Sequence, residues 1–429
     1  MGPGAKAWAA QDRPRRSLRW AMLMQYATCG AVIPFVSMWL VDRGLSYHQI
    51  SHIIMTSAGV LLVAPFFWGM VADRYVPLDR VLLLVNVLGA VALAVLAQQH
   101  EFGGLLAGYV AYTAFIFPTF HLINALGFHH LARPESSFSG LRAWGSVGWI
   151  LPFVPISVWT ASRPEAGLNF ILYLGMALGL GMALLACYLP HTPCGGRRRL
   201  VGAGRQPAYV QAVRQLLGNP NYLVVLLSMF LLSGSFSLVT FYSPPFLEQL
   251  GMPRPWIGPA QAIGVVFEVW LFQHQPELIR RLNLVRTVVL GCLALVVRNL
   301  LFSVLSDLWL LALSYLLAGA FVVLYHIGAS MLVNRLATDA VRASAQTMMG
   351  ICSMGLGPMF ANWMAGRLAA MSGNNLRPVF LFATFLAMLA TLLIVGAHRS
   401  LRRVLQAEGA GLAEGVGPNN VLAGGQGVK

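Results

Sequence analysis

The sequence predicts an all-α membrane protein with twelve transmembrane helices in two six-helix bundles. Three observations carry that expectation. Hydrophobic residues fill 57% of the 429 positions and charged residues only 10%. With glycine counted and tyrosine left out, the apolar share is roughly 64%, against about 45–50% in soluble domains. The mean hydropathy of +0.68 agrees. A globule must dress its surface with charge, and 14 acids with 29 bases cannot dress a chain of this length. Second, apolar runs of about 20 residues, the length of a bilayer crossing, recur along the chain. Third, one polar, arginine-rich stretch divides those runs into two equal sets.

Taken in order, the first six runs cover 18–41, 51–72, 79–98, 103–126, 140–160 and 168–189. The basic start, with Arg13, Arg15, Arg16 and Arg19, leads into a first run too long for the apolar part of a cleaved signal and without an evident cleavage site. It reads as a membrane span. Between His191 and Asn219 lie Arg197, Arg198, Arg199, Arg205 and Arg214. The second six runs cover 221–246, 256–275, 286–305, 308–333, 342–368 and 377–397, and the stretch 308–368 can be cut in more than one way. The expected organisation is an N-terminal segment 1–17, a six-helix bundle 18–189, a central loop 190–219, a second bundle 220–397 and a tail 398–429. That tail is rich in Gly, Ala and Val without a charge pattern, and disorder is expected there.

Orientation follows from the positive-inside rule. With both ends in the cytoplasm, the outer segments hold only Arg43, Arg163, Arg254, Arg367 and Arg377 of the 29 bases. An odd span count would spoil this asymmetry. The net charge of +15 therefore sets topology rather than binding nucleic acid, whose recognition needs bases clustered on one solvated face. Five cysteines (Cys29, Cys187, Cys194, Cys292, Cys352) contain no CxxC pair, so neither a disulfide framework nor a zinc site follows. Two bundles joined by a basic loop suggest a duplicated carrier with its site between the halves.

Of the 14 acids, Glu268 alone lies mid-span, in Gln261-Ala-Ile-Gly-Val-Val-Phe-Glu268. A carboxylate at that depth costs a few kcal/mol and persists by pairing or by taking up a proton. Reversible protonation is what a proton-coupled carrier requires; a static ion pair with Arg298 or Arg142 is the alternative. Gln261, seven residues earlier, shares the helical face of Glu268. Arg142 opens Arg142-Ala-Trp-Gly-Ser-Val-Gly-Trp149 and either snorkels to the headgroups or faces the site. Arg298 is deeper, and a structural ion pair and a transport role are both open to it. His121 and His326, inside spans 4 and 10, are either satisfied core histidines or substrate contacts. Pro118 predicts a kink that frees backbone groups near His121 and Asn124. His48 and His52 have i, i+4 spacing, but no acid or third ligand accompanies them, so no metal is expected.

Gly69-Met-Val-Ala-Asp73-Arg74, between spans 2 and 3, resembles the GxxxDR signature of the major facilitator superfamily. The chain further resembles the bacterial nucleoside:proton symporter family within it. That likeness rests on Pro65, on Pro118-Thr119 with Leu122-Ile123-Asn124, and on Arg142-Ala-Trp-Gly-Ser-Val-Gly. Glu268, Leu189-Pro190-His191-Thr-Pro193 and Val341-Arg342-Ala-Ser-Ala-Gln346 complete it. The resemblance implies that Arg142 and Glu268 line a central cavity and meet nucleoside or handle protons. Ser146 and Trp149 match its substrate-facing hydroxyl and aromatic positions. Departures fall in span 7, where Ser237 and Thr240 stand for other polar residues, at Val323 in place of an acid in span 10, and at Val265 in place of an amide.

The expected function is proton-coupled uptake of nucleosides by alternating access, as a monomer in the bacterial inner membrane, with no cofactor. The expected proton-coupling acid is Glu268. Substrate contacts are expected from Arg142, Ser146, Trp149, Asn124, His121, Gln261, Ser237, Thr240, Tyr325 and His326, and inner-gate contacts from Asp73, Arg74, Arg335 and Arg342. A carrier of another polar solute, such as a sugar or glycoside, is the alternative within the class. A transport-incompetent sensor on the same fold is the alternative outside it. A membrane enzyme would need clustered acids, a nucleophile with a base, or metal ligands at one depth, and the single mid-span acid argues against it.

Overall fold

The computed structural model describes residues 3–130, 134–194, 214–338 and 341–404. Most of the central loop and the tail beyond 404 lie outside the described residues, and with them the expected tail disorder. Among the described residues every regular element is helical. Ten helices are long and apolar enough to cross a membrane. Spans 1–5 are Arg16–Asp42, Tyr47–Arg74, Leu78–Ala97, Phe102–His130 and Gly140–Ser162. Spans 7–10 are Pro220–Gln249, Arg254–Leu282, Leu284–Val304 and Leu308–Leu336, and span 12 is Arg377–Gly396. The shorter apolar helix Phe170–Ala186 supplies span 6. Consecutive segments from Arg342–Gly350 to Gly357–Met371 supply span 11, so the ambiguous stretch is cut between Leu336 and Arg342.

Proline accounts for several interruptions, because it lacks an N–H and clashes with the preceding turn. Span 1 breaks at 33–35 around Pro34, span 4 at 117–118 before Thr119, and span 5 at 151–152. The expected kink at Pro118 is present. It leaves the Ala114 carbonyl without its helical donor, and the Trp68 indole N–H takes that acceptor at 3.1 Å. Two widened π-helical turns, Val322–Ile327 and Ile351–Leu356, interrupt spans 10 and 11. Such turns commonly accompany functional positions.

The packing repeats with a step of six spans. In the first half, span 1 packs on spans 5 and 6, span 3 on 4 and 6, and span 2 on 4. In the second, span 7 packs on 11 and 12, span 9 on 10 and 12, and span 8 on 10. Small residues make the tightest crossings, as they must where lipid offers no hydrophobic driving force. A Cβ on Gly148 would fall on the Leu23 carbonyl of span 1; its counterpart Gly357 would meet the Phe230 carbonyl of span 7. Even the helix ends match. Gly44, at φ 81°, and Gly251, at φ 92°, close spans 1 and 7. In each turn the next residue, Leu45 or Met252, bonds back to the carbonyl of Leu40 or Leu247.

The two halves meet along two symmetric seams, span 2 with span 11 and span 5 with span 8. Opposite the face where span 1 begins, the halves are latched. Arg254 at the start of span 8 donates to Asp42 at the end of span 1 at 2.6 and 3.1 Å. Gln249 at the end of span 7 donates to the Tyr47 hydroxyl at the start of span 2 at 2.9 Å.

Candidate functional site

Spans 5 and 8 come together around Glu268. The Ser146 hydroxyl of span 5 donates to Glu268 Oε1 at 3.3 Å, a hydrogen bond that crosses from one half of the molecule to the other. One turn before Ser146, the Arg142 guanidinium lies over the Tyr26 ring of span 1, 4.4 Å from its centroid. Gly145 leaves room for this stack: a Cβ there would lie 3.0 Å from both Arg142 Nη1 and the Tyr26 ring. Arg142 does not snorkel. Its Nη1 is buried and meets no protein acceptor. Nor does it form a direct ion pair with Glu268, since no nitrogen–oxygen contact within 4 Å joins them. His326 of span 10 is half-buried.

The surroundings are aromatic on the N-terminal side. The Tyr26 ring centroid lies 4.8 Å from that of Phe120, and Phe120 lies 6.5 Å from Trp149. Arg142, Tyr26, Phe120 and Trp149 thus form a continuous wall drawn from spans 1, 4 and 5. Two further buried polar atoms, Asn124 Oδ1 and Gln261 Nε2, meet no protein partner. Burying an unpartnered polar atom costs about 1–3 kcal/mol. Three such atoms on expected contact residues mark surfaces suited to a polar solute. Charged Arg142 and Gln261 offer N–H donors, while Asn124 offers an acceptor.

Other expected residues are placed differently. The Tyr325 hydroxyl is buried and shares a hydrogen bond with Ser228 at 2.9 Å. Ser237 accepts from Asn362 at 2.9 Å, and Thr240 donates to the Phe236 carbonyl at 2.8 Å. Each of these groups has a hydrogen-bond partner inside the second bundle: Thr240 in its own turn, Ser237 from span 11 and Tyr325 from span 7. His121 is exposed at the kink of span 4. Arg298 is 2% exposed, boxed by the Tyr315 ring at 4.5 Å and the Phe302 ring at 5.0 Å. It pairs with no carboxylate among the described residues, so it is not the partner of Glu268. Asp73, Arg74 and Arg335 are exposed, and no ion pair joins them. The Arg342 Nε donates to the Asn334 carbonyl at 3.2 Å.

Sequence reasoning passed over Tyr26 and Gly145. The signal for the second was present: Gly145 and Gly148 put small residues on one face beside Arg142, the mark of a close helix crossing. Tyr26 carries no local signal, since its role comes from a neighbour more than a hundred positions away.

The family model described as MFS_1 like family matches residues 16–382. The chain belongs to the MFS_1-like family. Its members' fold is what the paired bundles describe, and the chain is a multi-pass membrane protein of the major facilitator type. Among relatives, YegT of Escherichia coli (strain K12) is 24% identical over 81% of this chain and 83% of its own length. The maltose permease of Geobacillus stearothermophilus is 26% identical over 93% and 99%. The nucleoside permease NupG of Escherichia coli (strain K12) is 23% identical over 75% and 80%. The crystal structure of a point mutant of the nucleoside transporter NupG superposes with a TM-score of 0.80 at 19% identity, over 89% of this chain and 98% of that one. That likeness shows the shared fold.

Proposed function

We propose that this member of the family imports nucleosides together with protons across the bacterial cytoplasmic membrane, by alternating access and as a monomer. The face where span 1 begins and span 12 ends is the cytoplasmic one, as the arginine asymmetry requires. The observation that carries the reading is the single mid-span carboxylate, Glu268, held by Ser146 across the boundary between the halves. A group in that position changes its surroundings whenever the halves rock, which is how proton binding is tied to a conformational step. Protonated Glu268 loses the charge that favours the Ser146 contact and Arg142, so loading and unloading alter how the halves are held.

Substrate binds between the aromatic wall and Glu268, with Arg142 and Gln261 donating, Asn124 accepting and His326 at the edge. A flat base fits against Tyr26, Phe120 and Trp149, and the nucleoside permease among the relatives favours that class. Hinge-like movement of 18–189 against 220–397 exposes the site alternately. In the arrangement described, the Asp42–Arg254 latch is closed and Asp73, Arg74 and Arg335 are exposed, which corresponds to a site reached from the cytoplasm. On outward opening, Asp73 and Arg74 approach Arg335 and Arg342 as the inner gate.

A second reading, a sugar or glycoside, is favoured by the maltose permease, matched over nearly its whole length. Val323 and Val265 favour it as well, since they remove polar groups that the nucleoside:proton symporters carry. Uptake of labelled nucleosides and of maltose by cells without their own carriers, with and without a protonophore, separates the two. Accumulation of a nucleoside that collapses with the protonophore is expected. Accumulation of maltose alone would establish the second reading, and protonophore-insensitive uptake would remove proton coupling.

A further inference from the structure

A groove of about 630 Å³ opens on the seam between spans 2 and 11, away from Glu268. Its walls are Met55, Phe67 and Trp68 of span 2, Ala114 and Phe115 of span 4, and Met359 of span 11. The volume is that of a small-molecule pocket, but the lining is unlike the site around Glu268. Thr56 is the only residue with a polar side chain apart from Trp68, and the Trp68 N–H is already committed to the Ala114 carbonyl freed by Pro118. The Thr56 hydroxyl is likewise turned back to the His52 carbonyl at 2.7 Å. Beyond the acceptor lone pairs of Thr56 the wall offers a polar solute nothing, so the groove suits an apolar occupant.

The position in the fold limits that occupant further. Every wall residue belongs to a membrane span, and the outer lip is exposed at Val63 (67%) and Phe67 (49%). The groove is continuous with the interface between the halves: a Cβ on Gly59 would lie 3.6 Å from Met359 Sδ, and one on Gly355 would strike the Leu62 side chain just beyond. Along span 2 the same helical face continues from Val63 and Phe67 to Arg74. Arg74 is exposed at the end of the span, about 10 Å beyond Phe67 at 1.5 Å per residue. An apolar slot with a cation about 10 Å further along the same helical face matches a phospholipid, with a tail in the slot and the phosphate at the arginine.

We propose that a phospholipid of the surrounding bilayer lodges one acyl chain in this groove, between Trp68 and Met359, with its phosphate at Arg74. The lipid is a wedge in the seam between spans 2 and 11. It favours the arrangement in which that seam is spread toward the cytoplasmic face, and it must leave when Asp73 and Arg74 approach the second half. The proposal stands apart from the identity of the solute carried.

The test uses the full chain in vesicles of phosphatidylethanolamine and phosphatidylglycerol that include a phosphatidylglycerol with a photoreactive group midway along one acyl chain. After irradiation, peptide mapping should place the label on spans 2, 4 and 11 at the groove walls, above the level on outward-facing positions such as Leu389 and Leu392 of span 12. Ala114→Leu, which fills the slot from span 4, should lower groove labelling about tenfold, as expected for about two displaced methylenes. Labelling of span 12 should not change in that variant, which also reports that it is folded. Groove labelling in the unaltered chain no higher than on span 12 would overturn the proposal. So would labelling of the groove that Ala114→Leu leaves intact, or capture by free photoreactive fatty alcohol equal to that by the phospholipid.

Discussion

Arg142 and Arg298 each lie within a membrane span, each is stacked on an aromatic ring, and each keeps a buried N–H that no protein atom accepts. Their surroundings differ. Arg142 stands where span 5 meets span 8, one turn from the hydroxyl that holds Glu268, with its guanidinium on a single ring. Arg298 is sealed inside the second bundle between Phe302 and Tyr315, and Tyr315 is itself fixed by Ser243 at 2.9 Å. On the proposed rocking of the halves, a cation placed between them, as Arg142 is, would serve a solute and a proton. A cation inside one rigid half can only serve packing. Hydropathy gives the two the same signature; neighbours from distant parts of the chain separate them.

The largest effect expected from breaking this contrast is at the acid. Glu268→Gln should lower concentrative uptake by about 100-fold or more, the scale of a lost proton-transfer group. Equilibrium exchange of substrate should persist, as counterflow would show. Next, Arg142→Met should weaken substrate binding by about 10–100-fold, as expected for a lost charged hydrogen-bond donor. The matched change Arg298→Met should leave uptake within about twofold and the unfolding temperature unchanged or higher, because a well-packed apolar residue often replaces a buried charge without loss. Binding titrations and thermal unfolding of the pair decide this. Equal losses in both variants would erase the distinction. A smaller effect is expected for Ser146→Ala, about fivefold in the rate of concentrative uptake, from one hydrogen bond worth about 1 kcal/mol. The smallest is Gly145→Ala, where the added Cβ must press on Arg142 and Tyr26 and should raise the half-saturating substrate concentration by no more than about threefold.

The fold was largely legible from the sequence, because bilayer thickness imposes span length. The cut within 308–368 was not, since only five residues separate Leu336 from Arg342 and the spans on either side carry π-helical turns. The site was legible where chemistry is costly: Glu268 and Arg142 stand out because charge in a membrane demands a reason. It was not legible where the residue is cheap. Tyr325, Ser237 and Thr240 resemble solute contacts in sequence, yet each finds a partner within its own bundle. Tyr26 resembles packing, yet it carries Arg142. Spacing along one helix gives a face; which helix lies opposite is set by the glycines at the crossings.

The central claim is that Glu268 ties proton movement to solute movement. It is tested most directly in vesicles containing the purified chain and a luminal pH dye, with substrate added outside and no pH gradient imposed. The account predicts acidification of the lumen by the unaltered chain, and none by Glu268→Gln although that variant still exchanges labelled substrate. Substrate-driven acidification by Glu268→Gln equal to that of the unaltered chain would contradict it.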